Sequence, residues 1–395
     1  MTPKVLFLSR NYPNNVVKVA GMWVEGLARH VAKQCDVRVV APVPYCPPLP
    51  RFVEQTKFRE VKSHHHVNGV EVTSPRFLTG PGYSLHNYEA NALYWSIRSH
   101  VDRLHRAFPF DIIHAHFSYP EGVVAARFAR RYKVPLIITE HAAWQPWMDD
   151  FPRVRRQAMQ AFEQSRFLIA GSTYLRNTIA HFTGDADKLR LIPIGVDESV
   201  FTYGRNTKQS DSTRIIYVGR IHKTKGIDIL LHALRKLVDQ KPEIQLVMVG
   251  GSLGLRDYRL QEEEMRQLAE KLGLGGNISY VGMKPPAEVA HYIRESALLV
   301  LPSRRESFGA VLIEAMATGI PVVATKCGGP EDFVTDETGI LVPKEDADAL
   351  ANGIEHVLDN RNNYDPEKLH AYAVNNYSWD KVANQVIELY KQALH

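Results

Sequence analysis

Several common kinds of site have little to be built from in this 395-residue chain. The three cysteines, Cys35, Cys46 and Cys327, are dispersed and odd in number, which favours a reducing compartment over a disulfide framework. No apolar run approaches the length of a membrane-spanning helix, and the short run Val5 to Leu8 between Lys4 and Arg10 is unlike a signal peptide, so a cytoplasmic location is expected. The first strand pattern is followed by Ser9-Arg10-Asn11-Tyr12-Pro13 and not by Gly-x-Gly-x-x-Gly, which argues against a nicotinamide oxidoreductase. There is no Gly-x-Ser-x-Gly turn, and Ser172 reads as a helix N-cap, so Ser-His-Asp catalysis has no support. Nor is there a convincing metal site. Asp185 with Asp187 and Asp346 with Asp348 read as turns or caps, and His64 to His66, without carboxylate or cysteine neighbours at ligand spacing, read as a surface loop.

The overall charge is modest, +5, but uneven. Residues 1–200 hold 25 Lys and Arg against 17 Asp and Glu, and the remainder holds 23 against 26. A basic first half suits an anionic partner. Hydrophobic residues make up 45% and charged residues 23%, as in ordinary globular proteins, and the length suffices for two domains, each with its own core.

Strand and helix patterns alternate along both halves. Lys4 to Ser9, Met22 to Lys33 and Asp36 to Ala41 form a βαβ opening, which predicts a parallel, doubly wound sheet. A Pro-rich stretch over 42–60 reads as a surface excursion. Helices over 91–107, 122–132 and 154–165 then alternate with strands over 111–115, 136–139 and 167–170, and 189–194 closes the series. The pattern lapses between Pro193 and Arg214 and restarts with a second βαβ series at Arg214 to Val218. The expected organisation is a first domain over 1–195, a linker over 196–213, a second domain over 214–375 and a terminal helical segment over 376–395.

The second series contains the most informative stretch, residues 298–331, read as strand, helix, strand. Glu306 and Glu314 bracket a helix expected to begin near Ser307, whose first amides, at Phe308, Gly309 and Ala310, would seat an anion such as phosphate. Eight residues of helix rise about 12 Å, enough for the two acids to grip separate hydroxyls of one long ligand and too far for a close acid/base pair. On spacing alone, a capping charge and a solvated helix residue explain them equally well.

The residues around these acids resemble a known signature. Glu306-Ser307-Phe308-Gly309, followed by Glu314-Ala315-Met316-Ala317-x-Gly319-x-Pro321-Val322-Val323-Ala324, is similar to that of retaining glycosyltransferases of family 4. The resemblance implies the GT-B fold, an α/β architecture of two Rossmann-like domains facing across a cleft, the first binding the acceptor and the second the nucleotide sugar, with the last helix, over 376–395, crossing back onto the first domain. It implies that Glu306 contacts hydroxyls of the donor sugar, that Glu314 contacts the nucleotide ribose, and that the amides near Ser307 to Ala310 contact sugar and phosphates. Residues 218–226, VGRIHKTKG, lie between a predicted strand and a predicted helix. A bare loop of this kind is ordinary basic surface, but the family's donor-binding pattern assigns Gly219, Arg220 and Lys225 to the diphosphate.

Three first-domain loops carry further candidates. Gly21 can approach phosphates with bare backbone, although the family often has two glycines there. His114 and His116 alternate along the strand at 111–115 and its exit, an alternation that puts their imidazoles on opposite sides. Thr139-Glu140-His141 ends the next strand, and the family's Thr-x-His places His141 beside the transferred sugar; His116 and Glu140 remain as acceptor-side candidates. Residues 192–197 resemble the family's interdomain passage, with Ile194 where Asn is usual.

The expected function is retaining transfer of a sugar from a nucleotide-diphosphate donor, a UDP-sugar preferred, to an acceptor hydroxyl. The setting would be cell-surface polysaccharide, lipid-linked glycan or other glycoconjugate biosynthesis. Neither a cofactor nor a metal is expected, and nucleic acid is not a partner. An anionic membrane surface is a candidate partner, through Tyr83 to Arg106 and through Trp144, Trp147, Phe151, Arg153, Arg155 and Arg156. Alternatives on the same fold are a nucleotide-sugar 2-epimerase and a non-catalytic scaffold.

Overall fold

The computed structural model describes residues 2–45, 47, 56–80, 86–142, 150–183, 185–204, 213–251 and 256–395. They divide into two compact units, residues 1–195 with 379–395, and residues 196–378.

In the first unit the elements run β1 (Lys4–Leu8), α1 (Met22–Val31), β2 (Asp36–Val40), β3 (Val43–Pro44), β4 (His64–Val67), β5 (Val70–Thr73), β6 (Arg76–Phe77) and α2 (Glu89–Ala107). They continue with β7 (Ile112–His116), α3 (Val123–Tyr132), β8 (Leu136–Glu140), α4 (Pro152–Gln164), β9 (Phe167–Ala170), α5 (Thr173–Thr183) and β10 (Leu189–Leu191). The main sheet has the order β10-β9-β8-β7-β1-β2-β5-β4, parallel except for β4 at its edge. β7 and β8 are buried at every residue, as expected of central parallel strands covered on both faces. Leu6 and Leu8 join one core cluster while Val5 and Phe7 join the other, so the two cores lie on opposite faces of the sheet.

Two features here differ from expectation. His64 to His66 lie in β4, not in a loop. The turn joining β4 to β5 is Asn68-Gly69, both with positive φ, 46° and 84°, the backbone that a two-residue hairpin turn requires. That Asn-Gly pair is a local hairpin signal in the sequence itself.

The second unit runs β11 (Arg214–Val218), α6 (Ile227–Gln240), β12 (Gln245–Val249), α7 (Arg256–Lys271), β13 (Ile278–Gly282), α8 (Pro286–Arg294) and β14 (Leu298–Leu301). It ends with α9 (Ala310–Ala317), β15 (Val322–Thr325), β16 (Gly339–Val342), α10 (Ala347–Asp359) and α11 (Pro366–Tyr377). Its sheet is all parallel, in the order β13-β12-β11-β14-β15-β16. Ile227, Leu230, Leu231, Leu234, Leu237 and Val238 give α6 one buried stripe.

The last helix, α12 (Trp379–Leu394), packs into the first unit's core beside α1. Trp379 is seated where a Cβ on Gly26 would come within 2.5 Å of its ring and one on Gly195 within 2.3 Å. Two glycines therefore make the room for one indole, and any larger residue at either place would displace it.

Candidate active site

The second sheet changes direction between β11 and β14: β12 and β13 extend from one side of β11, and β14 to β16 from the other. Such a reversal opens a crevice at the carboxyl ends of the strands, where α/β proteins bind ligands. Both expected donor loops leave the sheet at this point, residues 219–226 after β11 and residues 302–309 after β14.

The two loops meet backbone to backbone. Gly226 has φ +63°, and a Cβ there would lie 2.0 Å from the Pro302 carbonyl oxygen, so only glycine allows this approach. Above it, Lys225 Nζ donates to Glu306 Oε1 at 2.5 Å, and Ser303 Oγ donates to the same oxygen at 2.7 Å. Arg304 braces the junction: its backbone N–H donates to Thr224 O, and its guanidinium reaches Lys223 O, both carboxylate oxygens of Asp228, and Glu345 Oε1. Hydrogen bonds to Asp228 raise the Arg304 pKa above its ordinary value despite partial burial. The cation and the acid expected to touch the donor are thus held together before any donor arrives.

Arg220 is exposed, its guanidinium over the Tyr258 ring at 5.4 Å with a 3.2 Å hydrogen bond to Tyr258 Oη. Its backbone is fixed by Tyr217 Oη, which donates to Arg220 O at 2.7 Å and sits where a Cβ on Gly219 would be 2.7 Å away. A Cβ on Gly250, which has φ +132°, would lie 1.9 Å from Gly219 O, so the ends of β11 and β12 pack as bare backbone.

Glu306 and Glu314 differ in kind. Glu306 is in ion-pair contact with Lys225. The partly exposed Glu314 carboxylate has no hydrogen-bond or ion-pair partner among the described residues, and burial alone pushes its pKa up to about 7.

The helix expected from Ser307 begins later, at Ala310. Glu306 forms a bridge to Gly328, and Gly329 packs so closely that a Cβ there would meet the Phe308 Cα at 2.4 Å. Gly309 then turns the chain with φ +93°. These constraints keep Ser307 and the buried Phe308 out of the helix, so its first-turn amides begin at Ala310.

In the first unit the corresponding reversal lies between β1 and β7. Gly21, with φ +60°, precedes α1, and a Cβ there would lie 2.0 Å from Asn11 O. His114 and His116 do not face opposite ways: their rings stack with centroids 4.5 Å apart, because residues two apart on a strand share a face. His116 is fully buried, and its Nδ1 lies 2.9 Å from His141 Nε2, with the rings 12° from coplanar. Burial lowers the pKa of both, that of His141 to about 3. Glu140, an acceptor-side candidate, uses both its oxygens within the fold, accepting from the backbone N–H of Ser118, His141 and Ala142. Burial raises its pKa in spite of these bonds.

Arg304, Asp228 and Tyr258 carry no local signal in the sequence, since each acts through a partner distant in sequence, whereas Ser303 bonds Glu306 only three residues on, inside a turn whose geometry the sequence does not show. Phe117 escaped the sequence reading as well. It holds φ +76°, uncommon for a bulky residue, immediately after β7, with its ring 5.1 Å from that of His141.

Two family models match successive parts of the chain: the one described as Glycosyltransferase Family 4 over residues 20–200, and Glycosyl transferases group 1 over residues 203–379. The chain belongs to glycosyltransferase family 4. Among curated family members, the D-inositol 3-phosphate glycosyltransferase of Paenarthrobacter aurescens is 29% identical over 371 residues, covering 87% of this chain and 88% of its own. A sucrose-phosphate synthase from Thermosynechococcus elongatus superposes with a TM-score of 0.81 at 23% identity, covering 99% of both chains. HepE from Anabaena in complex with UDP-glucose gives 0.75 at 20% identity over 98% of this chain and 99% of its own. The fold is GT-B, with a parallel Rossmann-like sheet in each unit.

Of the residues behind the membrane expectation, some have partners within the fold and others, Trp95 and Arg156 among them, are exposed. Arg153 stacks over Tyr88 at 4.5 Å, Arg155 over Phe182 at 5.2 Å, and Phe151 packs against the core; Tyr83, Trp144 and Trp147 lie outside the described residues. No described helix is long and apolar enough to cross a membrane.

Proposed function

We propose that this glycosyltransferase moves a sugar, with retention of its anomeric configuration, from a UDP-sugar to an acceptor hydroxyl of a polysaccharide, lipid-linked glycan or other glycoconjugate. The observation carrying this reading is that Arg220, Lys225, Glu306 and Glu314 lie on the segments that leave the β11/β14 reversal, with Glu314 unpartnered among the described residues. Glu314 is suited to accept from ribose hydroxyls, the amides from Ala310 onward and the Lys225 and Arg220 cations to hold the diphosphate, and Glu306 to read sugar hydroxyls. The UDP complexes of HepE and the nucleotide-sugar chemistry of the family support the choice of donor.

The chemistry in this reading is a front-face displacement. The bond between the sugar's anomeric carbon and the diphosphate oxygen breaks as the acceptor oxygen bonds the same carbon from the same face. The acceptor proton passes to the departing phosphate. Charge grows on the diphosphate, and Lys225 and Arg220 stabilise it without needing a metal ion. Glu306 is occupied by Lys225 and Ser303, which suits a positioning group more than a nucleophile. In this reading the first unit takes the acceptor, with His141 beside the sugar.

A thermal-shift screen of UDP-, GDP- and ADP-sugars, followed by NMR of the product's anomeric centre, tests the proposal. Stabilisation by UDP-sugars and a retained configuration are expected. An inverted product overturns the mechanism, and donor breakdown to an epimerised sugar without acceptor overturns the transfer itself.

A further inference from the structure

The imidazoles at the ends of β7 and β8 form a column. Tyr390 Oη is 2.7 Å from His114 Nδ1, and His114 Nε2 is 2.7 Å from Thr139 Oγ1, so both His114 nitrogens are satisfied. His116 stacks on His114 and on Phe7, and His141 continues the column. His116 Nδ1 meets His141 Nε2 at 2.9 Å, while the buried His116 Nε2 has no partner among the described residues. Burial keeps both rings neutral, so each carries one N–H and one bare nitrogen.

Two arrangements satisfy the nitrogen-to-nitrogen bond. If His141 donated, the proton of His116 would sit on Nε2 and be buried without an acceptor. If His116 donates from Nδ1, only a lone pair is left bare there. Orphaned buried N–H groups are the rarer defect in folded proteins. We propose that His116 is a positioning residue that donates from Nδ1 to His141 Nε2 and so holds His141 as its Nδ1–H tautomer. His141 then presents a neutral N–H donor, not a general base, to whatever occupies the crevice. Given the reading above, in which His141 lies beside the sugar, that donor orients a sugar oxygen. His116 does not touch the acceptor, as the sequence suggested; it acts through its neighbour.

The tautomer can be read on the ligand-free, full chain carrying 13C,15N-labelled histidine, with the His141 signals assigned by their loss in His141→Ala. Nδ1–H is expected in the parent protein. His116→Phe keeps the stack but removes the donor, and a mixed His141 tautomer is expected with turnover lowered about tenfold, the loss of one neutral hydrogen bond in the transition state. His116→Asn restores an N–H near the Nδ1 position and should restore both the tautomer and most of the turnover. An Nε2–H signal for His141 in the parent overturns the proposal, even if His116→Phe fails to fold, and so does an unchanged tautomer in a folded His116→Phe protein. Full turnover in His141→Ala would instead overturn the placement of His141 beside the sugar, and with it the catalytic part of this proposal, whatever the tautomer.

Discussion

The two sheet reversals in this chain are built in opposite ways. At β11/β14 the polar groups are more open: Arg220 is exposed, Glu314 has no partner among the described residues, and Lys225 is paired with Glu306. At β1/β7 they are largely sealed. His114 and His116 are fully buried, Glu140 is saturated by amides, and the guanidinium of Arg10 reaches both Glu89 and Glu121. A group with a protein partner in the resting state stiffens a site, whereas one without pulls a ligand in. The contrast sets a second unit with polar groups left available beside a first whose polar groups are already held within the fold.

The largest effect that could break this contrast belongs to Lys225. Lys225→Ala should lower kcat/KM about 10³-fold, measured by donor consumption, with the circular dichroism spectrum unchanged. Near-normal activity would mean that the second crevice does not hold the departing phosphate. On the sealed side, Glu140→Ala strands three backbone N–H donors and should cost about 2–3 kcal/mol of stability in urea unfolding. A fully stable variant with altered acceptor KM would show that Glu140 belongs to the ligand after all.

Glu314 sharpens the comparison through pH. Burial raises its folded pKa from 4.5 to about 7, so the folded state holds this proton more tightly than the unfolded chain does. The associated stability is complete at low pH, begins to fall as pH passes 4.5, and is gone above about 7. In the proposed donor site ribose hydroxyls would donate to the ionised form, so UDP binding should release a proton and tighten about tenfold as pH rises through that window. Titration calorimetry in buffers of different ionisation enthalpy measures both effects, and Glu314→Gln should abolish them. The smallest effect is expected from Arg304→Ala, about 1 kcal/mol, since the guanidinium is partly exposed. Its signature would be a raised donor KM, from loosening of the turn that carries Lys225.

Much of the second crevice was legible because its information is local: Gly219, Arg220, Lys225, Glu306 and Glu314 sit in short runs flanked by strong strand patterns. What the runs do not contain is their pairing. Lys225 and Glu306 are 81 residues apart, and nothing in either segment says that they touch in the resting protein. The start of α9 was misplaced because the bridge at Glu306 and the close packing of Gly329 on Phe308 override a pattern that is apolar from Val311 onward. The histidine column was misread for a simpler reason, a period of two counted as a change of face. In the first unit the β4/β5 hairpin went unread despite its Asn-Gly turn, and α11 in the second is weakly patterned, with Leu369 and Ala373 as its buried residues.

The seat that Gly26 and Gly195 make for Trp379 bears on how the protein comes into being. A ribosome delivers residues 196–378, the whole of the second unit, before it delivers the helix that fills the first unit's core and supplies Tyr390 to the histidine column. The unit begun first is thus completed last. Until Trp379 arrives, the first unit carries an open apolar slot on a growing chain, and that interval is when it is most exposed to misassembly.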